Sequence, residues 1–253
     1  MPFDGELSYA RICVRKLGGL NVVPEYKHAL IVGAGSGLSA SLARKFKSSG
    51  LSVSLAARNA DKLKELCAQT GAKAFTCDAS SAESVDALFG GLDSAPDVVV
   101  YNPGARAGGP FVDVDREQAQ NALMINAYGG FLVAQGAAKL MVPNRHGAIL
   151  LTGASASVKG YARSAVFAMG KFALRGLAQS LARELHPQGV HIGHFIIDGG
   201  IRNPLRAERI DPGDNPDSML APDDIANTYW NFLAQDRSSW AWEIELRPWV
   251  ENF

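Results

Sequence analysis

The chain has 253 residues, of which 47% are hydrophobic and 20% charged, a composition that is typical of a folded globular protein and excludes a disordered chain. Lysine and arginine total 25, as do aspartate and glutamate, so the formal charge is zero. This balance argues against general nucleic-acid binding, which depends on a net positive field.

The cysteine content and the length of the apolar runs indicate the cellular compartment in which the chain is expected. Cys13, Cys67 and Cys77 are too few and too scattered for a disulfide framework or a zinc site, so we expect no metal and a reducing, cytoplasmic compartment. No apolar run reaches the roughly 18 residues of a membrane span, and we expect no membrane partner. Residues 1–27 are interpreted as an N-terminal extension without an assigned role, for which organelle targeting stays an alternative.

From residue 28 onward, short apolar runs alternate with helical patterns. Strands are predicted at 29–32, 52–56, 74–77, 97–101, 147–152, 191–197 and 242–246. Helices are predicted from 38, over 61–70, from a capping box formed by Ser80 and Glu83, and over 115–140, 166–186 and 223–233. The longest segment without a pattern, 203–222, is a candidate lid. The alternation predicts one α/β domain over 28–253, a doubly wound parallel sheet of about seven strands with helices on both faces.

A glycine-rich loop joins the first strand to the first helix. Its candidate cofactor-binding residues are Gly33, Gly35, Ser36, Gly37 and Leu38. Glycines allow a pyrophosphate to approach the backbone, and the helix N-terminus supplies free N–H donors. A turn that only packs the strand against the helix is the alternative. Because Leu38 takes the last position of G-x-G-x-x-G, the loop instead follows Gly-x-x-x-Gly, with Ser39 where a third glycine would stand.

The second strand ends at Arg58, and no acidic residue lies between Gly50 and Ala60. An acidic residue there would bind the ribose 2′-hydroxyl of NAD, whereas an arginine suits the 2′-phosphate of NADP. Arg58 therefore favours NADP, unless it is only a solvated surface residue. Asp78, after the third strand, is a candidate acceptor for an adenine amino group.

In their order along the chain, these residues resemble the short-chain dehydrogenase/reductase family over about 28–203, which implies a Rossmann-type fold. The family's positions are matched by Asp78 (adenine), Asn102 and Gly104 (the segment after the fourth strand), Asn126 (the structural and catalytic asparagine) and Gly199 (the turn after the sixth strand). The resemblance implies hydride transfer between NADP(H) and a small carbonyl or alcohol substrate. It also implies a homodimer or homotetramer.

The family uses a Tyr-x-x-x-Lys pair and a serine after the fifth strand. The lysine here is Lys171, which would bind the nicotinamide ribose, but Phe167 occupies the tyrosine position and has no proton to give. The serine position falls on Ala154 or Ser155, depending on the register. The chain therefore resembles a divergent branch of the family with phenylalanine in place of the active-site tyrosine.

Three accounts remain open. The chain is a reductase whose proton comes from another group, such as Ser155, Ser157, a water or Tyr161, with Asn126 supporting a proton relay. Alternatively, it is a catalytically silent dinucleotide-binding or scaffold protein, or it catalyses a reaction that needs no tyrosine. His191 and His194 lie three apart on a strand, so they point to opposite faces and are interpreted as structural.

Overall fold

The computed structural model describes residues 25–251, so most of the predicted N-terminal extension lies outside the described residues. The strands are β1 (His28–Val32), β2 (Ser52–Ala57), β3 (Lys73–Thr76), β4 (Val98–Tyr101), β5 (Ala148–Thr152), β6 (His191–Ile197), β7 (Gly200–Ile201), β8 (Met219–Leu220) and β9 (Glu243–Leu246). The α-helices are α1 (Leu38–Ser48), α2 (Lys64–Thr70), α3 (Ala82–Gly90), α4 (Arg116–Leu123), α5 (Gly129–Met141), α6 (Ala165–Leu185) and α7 (Pro222–Leu233). None of the helices within 25–251 is long and apolar enough to cross a membrane.

Seven strands form one parallel sheet in the order β3-β2-β1-β4-β5-β6-β9. The strand order reverses between β1 and β4, and a crevice opens at such a switch point outside the carboxyl ends of the strands. The predicted fold class, a doubly wound α/β sheet of seven strands, is confirmed. That residues 28–253 make up one domain stays a prediction.

Helices cover both faces of the sheet because its central strands are apolar on both sides. In β1, Ala29 and Ile31 pack in the core beneath α1 and α7, whereas Leu30 and Val32 pack in the core beneath α3, α5 and α6. All five residues of β1 are buried, as expected for a strand in the middle of a parallel sheet. The core therefore fixes the carboxyl end of β1, from which the glycine loop emerges.

Three local expectations need correction. Helix α3 is capped by Ser81, whose hydroxyl accepts from the Ser84 N–H at 3.2 Å, because Ser80 is drawn instead to Asp78. The predicted helix over 115–140 is interrupted by a π-helical segment, Met124–Tyr128. Segment 203–222 is not structureless, since β7 pairs with β8 in parallel around a short 3-10 turn at Ala207–Arg209.

Candidate active site

Two neighbouring cavities open at the carboxyl ends of the strands and share Asn102, the residue that follows β4. The first cavity has a volume of about 790 Å³ and runs from the glycine loop to the end of β2. The second cavity, of about 310 Å³, lies over the ends of β5 and β6 and the start of α6. Because they share Asn102, the two cavities adjoin, and together they form a cleft at the position that the strand order predicts.

The glycine loop is held in shape by a short chain of hydrogen bonds. Gly33 has a φ of +81°, and a Cβ there would lie 2.6 Å from the Pro103 nitrogen, so only glycine fits. The Ser39 hydroxyl donates to the Gly33 carbonyl at 3.1 Å and accepts from the Asn102 side-chain amide at 2.7 Å. Ser39 therefore ties the loop to β4 at the position where a third glycine was expected.

The loop leaves open space above its backbone. A Cβ at Gly35 or Gly104 would meet nothing within 4 Å, and one at Gly37 would approach only the Asn203 side chain at 3.8 Å. Helix α1 begins with no side-chain cap and no acidic residue in its first turn, so no cap occupies its first N–H groups. These residues fit a dinucleotide, whose pyrophosphate needs a close, positive backbone cradle. Of the other predicted residues, Ser36 lines the first cavity and Leu38 the second.

Two exposed cations stand at the far end of the first cavity. Arg58 was predicted there, and Lys62, one turn further on, joins it in the lining. Asp78 lies opposite and accepts two bonds from Ser80, at 3.0 Å from its N–H and 2.6 Å from its hydroxyl. These bonds, with a smaller effect of the Arg58 charge, lower the pKa of Asp78.

Asn126 is fully buried in the π-helical segment, where it clamps the loop that follows β4. Its side chain donates to the Ala105 carbonyl at 2.7 Å and accepts from the Ala105 N–H at 3.0 Å. Gly170 of α6 packs against it so closely that a Cβ would lie 2.6 Å from the Asn126 Cβ. Asn126 therefore links α6 to the floor of the cleft, while its role in a proton relay stays a prediction.

Lys171 is buried beneath the second cavity, on the same face of α6 as Phe167. Its ammonium donates to the Thr152 carbonyl at the end of β5 at 2.8 Å. Burial and, secondarily, the charge of Arg106 lower the pKa of Lys171 to about 8. An ammonium has three N–H donors, so two remain for other acceptors such as ribose hydroxyls.

The predicted proton donors lie in different places. Ser155 lines the second cavity, whereas Ser157 is fully buried and its hydroxyl accepts from the Ala154 N–H at 3.2 Å. The Thr152 hydroxyl, also in this cavity, shares a 2.9 Å hydrogen bond with the Tyr229 phenol. Tyr161 is 44% exposed beside Lys159 and does not line the cavity. Among these hydroxyls the structure therefore brings Ser155, and not Tyr161, into the cleft.

A group of arginines that was not predicted from the sequence lies around the second cavity. They are Arg106, Arg202, Arg206 and Arg209, and the predicted cofactor residue Gly199 lines the same cavity. The guanidinium carbon of Arg106 lies 4.1 Å from the centre of the Phe167 ring. Arg206 and Arg209 in the candidate lid, with Arg202 directly before it, were a signal visible in the sequence, whereas the approach of Arg106 required the fold.

The sheet order, the crossover helices and the cleft define this chain as a Rossmann-like α/β protein. The short chain dehydrogenase profile matches residues 27–211, and the chain belongs to that family. Among curated relatives, an uncharacterized oxidoreductase of Staphylococcus aureus strain N315 is 28% identical over 232 residues, covering 88% of this chain and 97% of its own. The (21S)-21-acetoxyl-apo-melianone synthase of Melia azedarach is 28% identical over 243 residues, covering 85% of each.

Solved structures give the same result. A short-chain dehydrogenase from Rhodopseudomonas palustris superimposes with a TM-score of 0.77 at 30% identity, covering 89% of this chain and 100% of its own. A metagenomic short-chain oxidoreductase in complex with NADP has a TM-score of 0.75 at 26% identity, covering 89% of this chain and 98% of its own. The family resemblance derived from the sequence is thereby confirmed.

Proposed function

We propose that the chain is an NADP(H)-dependent oxidoreductase that reduces a small carbonyl compound or oxidises the corresponding alcohol. The observation that carries this proposal is the pair of adjoining cavities. The first cavity is lined by an open glycine loop and two cations, and the second is lined by Ser155 and by Thr152, whose carbonyl accepts from the buried Lys171. The NADP complex of the metagenomic relative supports the same cofactor.

The proposed cofactor contacts follow the geometry of the first cavity and of Gly37 and Leu38, which line the second. The backbone at Gly35, Gly37 and Gly104 and the N-terminus of α1 receive the pyrophosphate, because this backbone is open. Arg58, together with Lys62, binds the 2′-phosphate and selects NADP over NAD. Asp78 accepts from the adenine amino group.

Bound NADPH would supply a hydride to the carbonyl carbon. The chain must then hold the carbonyl oxygen and protonate it. We assign Ser155 to this oxygen, since Ser155 lines the second cavity, and propose that its hydroxyl relays a proton from cavity water. The positive charge of Lys171 stabilises the alkoxide as it develops, and its spare N–H donors hold the nicotinamide ribose. Asn126 positions the loop that carries Ala105.

A catalytically silent dinucleotide-binding protein is the second candidate, and one observation favours it. Phe167 lies four residues before Lys171 and offers no hydroxyl, and neighbouring Ala154 offers none either. Under this proposal the first cavity binds NADP while the second carries out no hydride transfer.

Two measurements separate the candidates. Calorimetric titration with NADP and NAD tests the site, and we expect tighter binding of NADP. Oxidation of NADPH is then followed with a panel of aldehydes and ketones, with Lys171→Ala as the control. Turnover that the substitution abolishes supports the oxidoreductase, whereas tight NADP binding without turnover on any compound supports the silent protein. No heat with either dinucleotide at millimolar concentration contradicts both.

We also propose that the protein is a homodimer or homotetramer. Exposed apolar side chains on α5 and α6, including Phe131, Met169 and Phe172, suit a second copy of this chain. Light scattering after gel filtration gives the mass, and a monomer across the working concentration range contradicts the proposal.

A further inference from the structure

The second cavity carries an unbalanced positive charge. Among its described lining residues, four are arginines and none is an aspartate or a glutamate. A cavity lined by like charges costs free energy unless an opposite charge enters it. The charge balance of the cavity therefore depends on whether each arginine has a carboxylate partner.

Two of the four already have carboxylate partners outside the lining. Arg202 donates from its Nε to Asp211, and Arg206 donates from its Nε to Glu208 at 2.8 Å. In the part of the chain that the structure describes, Arg106 and Arg209 form no ion pair with a carboxylate. The Arg209 charge helps to lower the pKa of Glu208 without forming an ion pair, so both guanidinium groups keep N–H donors for whatever occupies the cavity.

These two cations also act on each other. Partial desolvation and the charge of Arg209 lower the pKa of Arg106, as expected when like charges face one another. The guanidinium of Arg106 rests over the Phe167 ring, a contact that fixes its position and leaves its N–H edges free to bind oxygen atoms. An anion placed between the two guanidinium groups would remove the repulsion and form charge-assisted hydrogen bonds.

We infer that the substrate carries a compact anionic group, a carboxylate or a phosphate, that Arg106 and Arg209 bind in the second cavity. This inference rests on the proposed function, in which the same cavity receives the carbonyl compound. Because Ser155 is assigned to the reacting oxygen, the anion and the carbonyl occupy separate places, and the substrate is bifunctional. Phe167 therefore packs against Arg106, a proposed substrate-binding residue, at the position where the family has its proton-donating tyrosine.

Calorimetry with matched aldehydes tests the inference without requiring turnover. Benzaldehyde, 4-formylbenzoate and 4-formylphenyl phosphate are titrated into the protein, with and without saturating NADP. We expect at least one of the two anions to bind at least about tenfold more tightly than benzaldehyde. The tighter anion identifies the group. Arg106→Met and Arg209→Met should each remove this preference without weakening benzaldehyde binding, and Arg209→Lys should retain part of it.

Arg183→Met is the matched control, because Arg183 is exposed at the far end of α6 and its loss changes the net charge equally. Melting curves verify that each variant is folded. Equal binding of charged and neutral aldehydes overturns the inference. It is also overturned if the variants weaken NADP binding about tenfold but leave the anion preference intact, since the arginines then serve the dinucleotide. Anion binding without any NADPH oxidation refutes only the proposed function, and the anion site stands.

Discussion

The Lys171 ammonium lies 5.8 Å from the centre of the Phe167 ring, on the same face of α6. In a Tyr-x-x-x-Lys pair this arrangement would lower the pKa of a phenol and turn it into a general acid. Here the ring has no proton, and it instead supports the guanidinium of Arg106. Helix α6 thus places a buried ammonium near a ring that offers no acid.

We expect Phe167→Tyr to raise kcat/KM for carbonyl reduction by about 10- to 100-fold, since a positioned general acid contributes roughly 10²–10⁴. The new phenol would lie close to two cations, Lys171 and Arg106, which lower its pKa. Steady-state NADPH oxidation with one aldehyde measures the effect. Phe111→Tyr, at a position that is 77% exposed and lines neither cavity, is the control and should leave kcat/KM unchanged. No gain in a variant that still binds NADP would count against the proposed placement of the substrate.

Activity should depend on the charge of Lys171. Its pKa is lowered to about 8, chiefly by burial, so the ammonium is charged below that pH and neutral above it. The alkoxide is stabilised only by the charged form, and kcat/KM for reduction should therefore be level below about pH 8 and fall tenfold per pH unit above it. Lys171→Met should lower kcat/KM below pH 8 and abolish the fall of kcat/KM above that pH. A break that survives the substitution belongs to another group.

The preference for NADP should reside in Arg58. We expect Arg58→Gln to weaken NADP binding about tenfold, because one charge-assisted contact to the 2′-phosphate is lost, and to leave NAD binding unchanged. Lys64→Gln is the matched control, since Lys64 is exposed nearby but does not line the first cavity. Calorimetric titration gives both dissociation constants. Equal losses for NADP and NAD would mean that Arg58 does not contact the phosphate.

The clamp between Asn126 and Ala105 should contribute to stability. Asn126→Ala leaves the partly buried Ala105 N–H and carbonyl without these partners, and we expect it to lower the free energy of unfolding by about 2 kcal/mol. Asn144→Ala removes an exposed asparagine bond to the Leu140 carbonyl and should cost less than about 0.5 kcal/mol. Urea denaturation compares them. If both variants lose a similar, small amount of unfolding free energy, the hydrogen bonds between Asn126 and Ala105 add little to stability.

The parts of this molecule that the sequence predicts best are those governed by local periodicity. Apolar runs predict the strands, and the glycine loop predicts the cradle after β1, because both depend on neighbouring residues. The cations Arg106 and Arg209 could not be placed in one cavity, since they are about a hundred residues apart in sequence and only the crossovers bring them together. The sequence likewise places Glu243 on the last predicted strand, at 242–246, but cannot reveal its partners on other elements.

Glu243 of β9 joins an ion-pair cluster at the edge of the sheet. It accepts two bonds from Arg175, at 2.7 and 2.8 Å, and is 2.9 Å from the His194 Nδ1. Burial alone would raise the pKa of Glu243, but the bonds from Arg175 and His194 outweigh it and keep this pKa below its usual range. His194 is fully buried, and burial lowers its pKa from 6.5 to about 4 despite the nearby carboxylate.

This cluster predicts a loss of stability in mild acid. His194 stays neutral in the fold but takes up a proton when unfolded, so its stabilising contribution is complete above pH 6.5 and is lost as the pH falls toward 4. The shift corresponds to a loss on the order of 3 kcal/mol. His191, whose pKa is also lowered to about 4 by burial, adds to this loss of stability.

We expect His194→Gln to reduce by about half the decline in the free energy of unfolding between pH 7 and pH 5. The glutamine side chain can still donate to Glu243. Urea titrations at several pH values measure this decline, and an equally steep decline in the variant would mean that His194 is not the group responsible.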